Sequence, residues 1–143
     1  MNETELPDYE LTHSTIGYAM KVHSTLKNGF QEVIYQRALE VELRDAGINF
    51  SREHDMPIYY KNELIGTRRV DFLIEGRISV ELKAISNLEN VHIAQALNYL
   101  EAFNIQSGLL INFGAKSLQF HRLRNKKFKD TQSEREEKKL GLH

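Results

Sequence analysis

Apolar residues recur along this chain with two different periods, and the change of period divides it into helical and extended stretches. From about Tyr9 to Lys27, Ile16, Ala19, Met20, His23 and Leu26 form the stripe of an amphipathic helix. Asn28-Gly29 ends it, because both residues tolerate the left-handed backbone that closes helices. A second helix is predicted from about Gln31 to Ala46, with Val33, Ile34, Ala38, Leu39, Val41 and Leu43 as its apolar positions and Gly47 as its stop.

The middle of the chain alternates with period two. Ile48 and Phe50, then Met56, Ile58 and Tyr60, read as strands, with Lys61-Asn62-Glu63 as a turn. The clearest alternation follows: Val70, Phe72 and Ile74, then Ile78, Val80, Leu82 and Ala84, place an apolar row on one face of a hairpin that turns at Gly76. A third helix spans about Glu89 to Phe103, with Ala94, Leu97, Leu100 and Phe103 inward. The run GLLINFG at 108–114 is too short for a helix and reads as a buried strand, and Leu118–Leu123 follows as an edge strand. Helix, helix, three or four strands, helix and two strands describe an α/β (α+β) domain: a small mixed central β-sheet flanked by helices.

Composition narrows the picture. The chain has 143 residues, enough for one domain, with 41% hydrophobic and 27% charged residues. There is no cysteine, which excludes disulfides, thiolate zinc sites and cysteine nucleophiles. No apolar run approaches the ~20 residues of a membrane span. The opening MNETELPDYE is acidic and lacks the layout of a secretory signal, so a cytoplasmic protein is expected. The net charge of −1 hides an asymmetry: residues 124–143 carry seven Lys/Arg and four Asp/Glu, leaving 12 bases and 16 acids, a net of −4, in the rest. A single domain over 1–123 and a charged, flexible tail over 124–143 are expected. An acidic body is not the broad footprint of a nucleic-acid binder, so any such role needs a local patch.

Chemistry gathers on the other face of the hairpin. Glu81 and Lys83 point the same way, and Asp71 joins them only if the turn is right. A three-residue loop, Glu75-Gly76-Arg77, pairs Ile74 with Ile78 and sets Asp71 opposite Glu81. A two-residue loop sets the carboxylates on opposite faces. The apolar row favours the three-residue loop. Two carboxylates about 4 Å apart repel by about 4 kcal/mol at an effective dielectric of 20, which Lys83 relieves in part and a divalent cation relieves further. Hard oxygen donors without sulfur suit Mg2+ or Mn2+. The helices bring polar residues at matching spacing: Gln95 and Tyr99 at i, i+4, and Glu32 and Tyr35 at i, i+3. Taken alone, this pattern also describes an ordinary solvated strand face and satisfied buried tyrosines. The six histidines show no metal-ligand spacing, and the chain has neither a nucleophile elbow nor a glycine-rich phosphate loop.

Gly29-Phe30-Gln31-Glu32-Val33-Ile34-Tyr35 matches the G-x-x-E-x-x-Y signature, and the chain resembles the GxxExxY family, which looks like a branch of the PD-(D/E)XK nuclease superfamily. The resemblance covers roughly residues 10–123, including Val22-His23, the ELKA of Glu81–Ala84, and the segments VHIAQALNYL and GLLINFG. One departure is Lys27-Asn28-Gly29 in place of the family's Gly-Pro-Gly turn. The resemblance implies a restriction-endonuclease-like core. It also implies Asp71 as the motif aspartate, Glu81-Leu82-Lys83 as the E-x-K, Glu32 as the helical acid, and Gln95 and Tyr99 as the Q-x-x-x-Y element.

On that footing Asp71, Glu81, the Leu82 carbonyl and Glu32 hold Mg2+ or Mn2+. Lys83 then serves hydrolysis of nucleic-acid phosphodiesters, with DNA as the expected partner. Gln95, Tyr99, Tyr35 and Arg69 (or Arg68) meet the substrate. The alternative is a non-catalytic module that keeps the fold and binds a protein or nucleic acid. Whether the chain works as a homo-oligomer is left open.

Overall fold

The computed structural model describes residues 2–130. After a short 3-10 turn at Glu3–Glu5 come α1 (Tyr9–Leu26), α2 (Glu32–Asp45), β1 (Phe50–Tyr60), β2 (Glu63–Ile74) and β3 (Ile78–Lys83), then α3 (Asn90–Ala102), β4 (Ser107–Asn112) and β5 (Gln119–Arg124). The five strands form one mixed sheet in chain order. Only β3 and β4 are parallel, because α3 carries the chain back between them, whereas the other neighbours are joined antiparallel. This is the α+β architecture the sequence patterning implies.

Helices cover both faces. Side chains of β4 alternate: Leu109 and Ile111 join the core beneath α1 and α2, while Leu110 joins a smaller core beneath α3. All six residues of β4 are buried, which accounts for its unbroken apolar run.

Local signals set the helix ends. At the end of α2, Gly47 (φ +70°) donates to the Arg44 carbonyl and Ile48 to that of Leu43, a paired C-terminal motif that needs a left-handed residue at Gly47. Ile48 is thus a cap residue packed on the core rather than the start of a strand. At the end of α1 the left-handed positions are Lys27 (φ +60°) and Gly29 (φ +116°), not Asn28. The helical stripes are also rotated from the predicted ones. Val22 replaces the exposed Met20 on α1, and Tyr35 and Gln36 join Leu39 and Leu43 inside α2 while Val41 is exposed. On α3, Ala96, Tyr99 and Leu100 are the buried positions and Ala94 is exposed.

The β2–β3 turn has the geometry the apolar row demands. Glu75 (φ +53°) and Gly76 (φ +63°) form a tight turn closed by the Arg77 amide on the Ile74 carbonyl, and Ile74 pairs with Ile78. The row itself is not continuous. Phe72 and Ile74 belong to the core under α1 and α2, but Val70 belongs to the core under α3. Opposite Asp71, Glu53 takes a left-handed φ of +53° and falls between the pairs Arg52–Phe72 and His54–Val70. The β1–β2 ribbon therefore changes faces at Glu53 and Asp71. Beyond that point it runs past the helices, so Ile58 and Tyr60, which alternate with polar neighbours, stay exposed together with Tyr59, Leu64 and Ile65.

Ordered structure continues past residue 123. Asn125 is buried and donates to the Leu100 carbonyl, and Lys129 exchanges hydrogen bonds with the Asn104 side chain. The rest of the charged tail, 131–143, lies outside the described residues.

Candidate metal centre at the β2–β3 fork

The ladder between β2 and β3 runs only from Ile74–Ile78 to Phe72–Val80, and beyond it the strands part. Asp71 occupies the fork. Its Oδ2 accepts from the Leu82 amide at 2.7 Å, and its Oδ1 accepts from Gln36 Nε2 at 3.2 Å. A strand residue turns its N–H and C=O to the same edge. With the Leu82 amide on Asp71, the Leu82 carbonyl faces the same fork, while the Lys83 carbonyl faces β4 and accepts from Phe113 N.

Gln36 is the orienting residue. It lies buried one turn after Glu32 on α2, and its Oε1 accepts from Arg52 Nε at 3.0 Å, so its amide group is fixed with the nitrogen toward Asp71. Arg52 is anchored in turn on Glu40 at 3.2 Å.

Three carboxyl groups share the electrostatics of this fork. Burial raises the Asp71 carboxyl above the ordinary range, against the Leu82 hydrogen bond and the charge of Lys83, which lower it. Burial also raises Glu81, with Arg68 and Lys83 lowering it and Asp71 raising it. Glu32, at the first position of α2 and on the exposed rim, is raised by burial of its carboxyl and by the charges of Asp71 and Glu81, against Lys83. Lys83 thus acts on all three. Glu81 is committed elsewhere: its Oε1 pairs with Arg68 Nη2 at 3.1 Å. Arg68 also donates to the Gln95 carbonyl at 3.1 Å and lies over the Tyr99 ring, 5.1 Å from its centroid.

The remaining expected residues divide. Tyr99 is fully buried beside the Arg68–Glu81 pair; burial first, then the Glu81 charge, push its phenol up to about 12, and its hydroxyl has no hydrogen-bond partner. Gln95 has an exposed side chain and meets the cluster through its backbone carbonyl. Tyr35 offers no surface to a substrate. It is fully buried, stacks on Phe113, donates to the Lys27 carbonyl at 2.5 Å and accepts from Phe30 N at 3.2 Å, so it ties down the α1–α2 loop. Arg69 is exposed and paired with Asp55 at 2.9 Å, which leaves the even-numbered Arg68 as the arginine at the acids. The change of face at Asp71 is the cause.

A loop joins this fork to α3, and a buried amide holds it. The Asn112 side chain donates to the Ile85 carbonyl and to Gln119, and accepts from Ile85 N and Gly114 N. The loop backbone lies so close to Gly114 that a Cβ there would meet Ile85 N and O at 2.3 Å. His92, near the start of α3, accepts from the Glu89 amide as a cap, and His23 is buried with its Nε2 2.9 Å from the Ala115 carbonyl.

The sequence profile of the PD-(D/E)XK nuclease superfamily matches residues 9–123, most of the chain. The chain belongs to that superfamily. A search of solved structures agrees on the fold: the crystal structure of SSO0001 superposes with a TM-score of 0.51 at 19% identity, over 77% of this chain and 57% of that one. The chain therefore spans just over half the length of that structure. No curated protein matches.

Superfamily membership brings divalent metal into question, and the donor set fits in kind: carboxylates of Asp71, Glu81 and Glu32 and the carbonyl of Leu82, all hard oxygens, with no sulfur or imidazole. Raised, mutually repelling carboxyls are the electrostatic setting that a cation relieves. In position the set is incomplete. Among the described residues no three carboxylate or imidazole side chains are gathered closely enough to hold an ion, and Glu81 is held by Arg68. The sequence reading missed Gln36 and Arg52 and left Arg68 as one of two options. For Gln36 a signal existed, since i, i+4 spacing puts it on the Glu32 face of α2. Arg52 carried none.

Proposed function

We propose that this protein is a divalent-metal-dependent nuclease that hydrolyses phosphodiester bonds in DNA, and that within the superfamily it stands in the GxxExxY branch. The observation that carries this reading is the fork, where Asp71 lies against the Leu82 backbone with Glu81, Glu32 and Lys83 all in electrostatic reach.

Asp71, Glu81 and the Leu82 carbonyl would hold Mg2+ or Mn2+, with Glu32 as a further ligand from the rim. The bound ion supplies Lewis-acid activation of water and shields charge on the phosphate. Gln36 holds the Asp71 carboxylate in its orientation, leaving Oδ1 a second lone pair toward the fork. The Lys83 ammonium orients the attacking water and stabilises the charge that develops on the phosphoryl oxygens. Arg68 adds positive charge on the α3 side.

Calorimetric titration with MnCl2 and a cleavage assay on single- and double-stranded DNA and on RNA test the reading. Asp71→Ala is expected to lose manganese binding and cleavage together. Lys83→Ala is expected to keep binding and lose cleavage by at least about a hundredfold, the usual scale for a group acting in the transition state. Wild-type protein that binds no manganese, or an Asp71→Ala variant that cuts like wild type, overturns the proposal.

A further inference from the structure

We propose that Arg68 is a placeholder cation: its guanidinium holds the Glu81 carboxylate in the metal-free protein and yields it when a divalent ion enters the fork. The inference rests on the metal-dependent reading above and adds to it a built-in competitor for one ligand.

The two partners of this ion pair are anchored very unequally. Arg68 stays in place without Glu81, because its Nη1 donates to the Gln95 carbonyl at 3.1 Å and its guanidinium lies over the Tyr99 ring at 5.1 Å. Glu81 has Arg68 as its ion-pair partner at 3.1 Å, with a side chain 13% exposed. Leaving a carboxylate this buried without a counter-charge is costly, so a positive charge beside it is favoured whenever it is ionised. Arg68 supplies that charge in the metal-free fork and a divalent ion supplies it in the loaded one. The Tyr99 hydroxyl, buried beside the pair, has no hydrogen-bond partner, so Tyr99 holds Arg68 through its ring and not through its hydroxyl.

Titration of the full chain with MnCl2, read by calorimetry, tests the competition directly. Arg68→Gln frees Glu81 and is expected to bind manganese roughly tenfold tighter than wild type, since entry of the ion no longer breaks a charge-assisted pair. Arg69→Gln makes the same change of net charge at a residue paired with Asp55, and is expected to keep wild-type affinity. Unchanged or weaker binding by Arg68→Gln overturns the proposal, as does an equal gain in Arg69→Gln, which would reduce the effect to net charge. If Arg68→Gln fails to fold, Arg68→Lys carries the test, because it keeps the charge but loses the fork-shaped donor set: tighter binding supports the competition and unchanged binding overturns it. Wild-type protein that binds no manganese brings down the metal reading itself, a failure distinct from equal affinities in wild type and variant.

Discussion

At the scale of single residues, Asp71 concentrates the tension of the site. It is hydrogen-bonded on both oxygens, yet burial keeps its carboxyl above the ordinary range. A group whose folded value is raised contributes stability that is present below the unfolded value and lost as pH rises through the folded one. Ionised Asp71 therefore costs the metal-free protein stability at neutral pH. Asp71→Asn removes that charge but also one of the two acceptors, since its single amide oxygen can take the Leu82 amide and leaves an NH2 group facing Gln36; the gap in melting temperature, variant minus wild type in the presence of chelator, is therefore expected to be largest at pH 7. The gap should close as the pH falls and wild-type Asp71 takes up its proton as well. Thermal melts at several pH values decide it, and a gap that widens in acid contradicts the assignment.

Among the elements, the decisive event is the change of face in the β1–β2 ribbon. It carries Arg68 to the acids, turns Arg69 away, and sends Val70 to a different core from Phe72. Alternation in the sequence shows which residues share a face over a regular stretch. It cannot show a twist at Glu53, because nothing in a glutamate announces a left-handed backbone. Alternation also says nothing about whether a face is covered, and Ile58 and Tyr60, correctly read as strand positions, are exposed. Tyr35 shows the same limit on a helix, where the spacing from Glu32 suggests a shared task. Tyr35→Phe is expected to lower stability by about 1–2 kcal/mol through its two lost hydrogen bonds, while cleavage per folded molecule stays within about twofold. An unchanged melting temperature with a fall in kcat/KM would restore the substrate-contact role.

For the whole molecule, charge distribution bears on the proposed binding of DNA. The residues before 124 sum to −4, and on the proposed reading Lys83, with Arg68 once it leaves Glu81, supplies the positive charge at the fork. With about two phosphates neutralised, affinity for DNA is expected to fall only about tenfold between 50 and 200 mM salt, against the 10³–10⁵ of a protein making six to ten such contacts. Binding measured by fluorescence anisotropy across that range tests the count, and a fall beyond about a thousandfold would require a larger basic surface. No helix among the described residues is long and apolar enough to cross a membrane.

The sequence by itself determined the order of elements, the mixed sheet between helices, the hairpin register that brings Asp71 toward Glu81, and membership of the PD-(D/E)XK nuclease superfamily. Each of these is written in local period, in turn residues or in spacing along one element, and local rules act before the chain closes on itself. Tertiary structure alone decided which arginine meets Glu81, that Gln36 aims Asp71, and that Tyr35 is sealed inside. Those outcomes depend on where one element ends up against another. A single left-handed residue in β1 and the parting of two strands set that placement, and neither leaves a mark in the pattern of hydrophobic and polar positions.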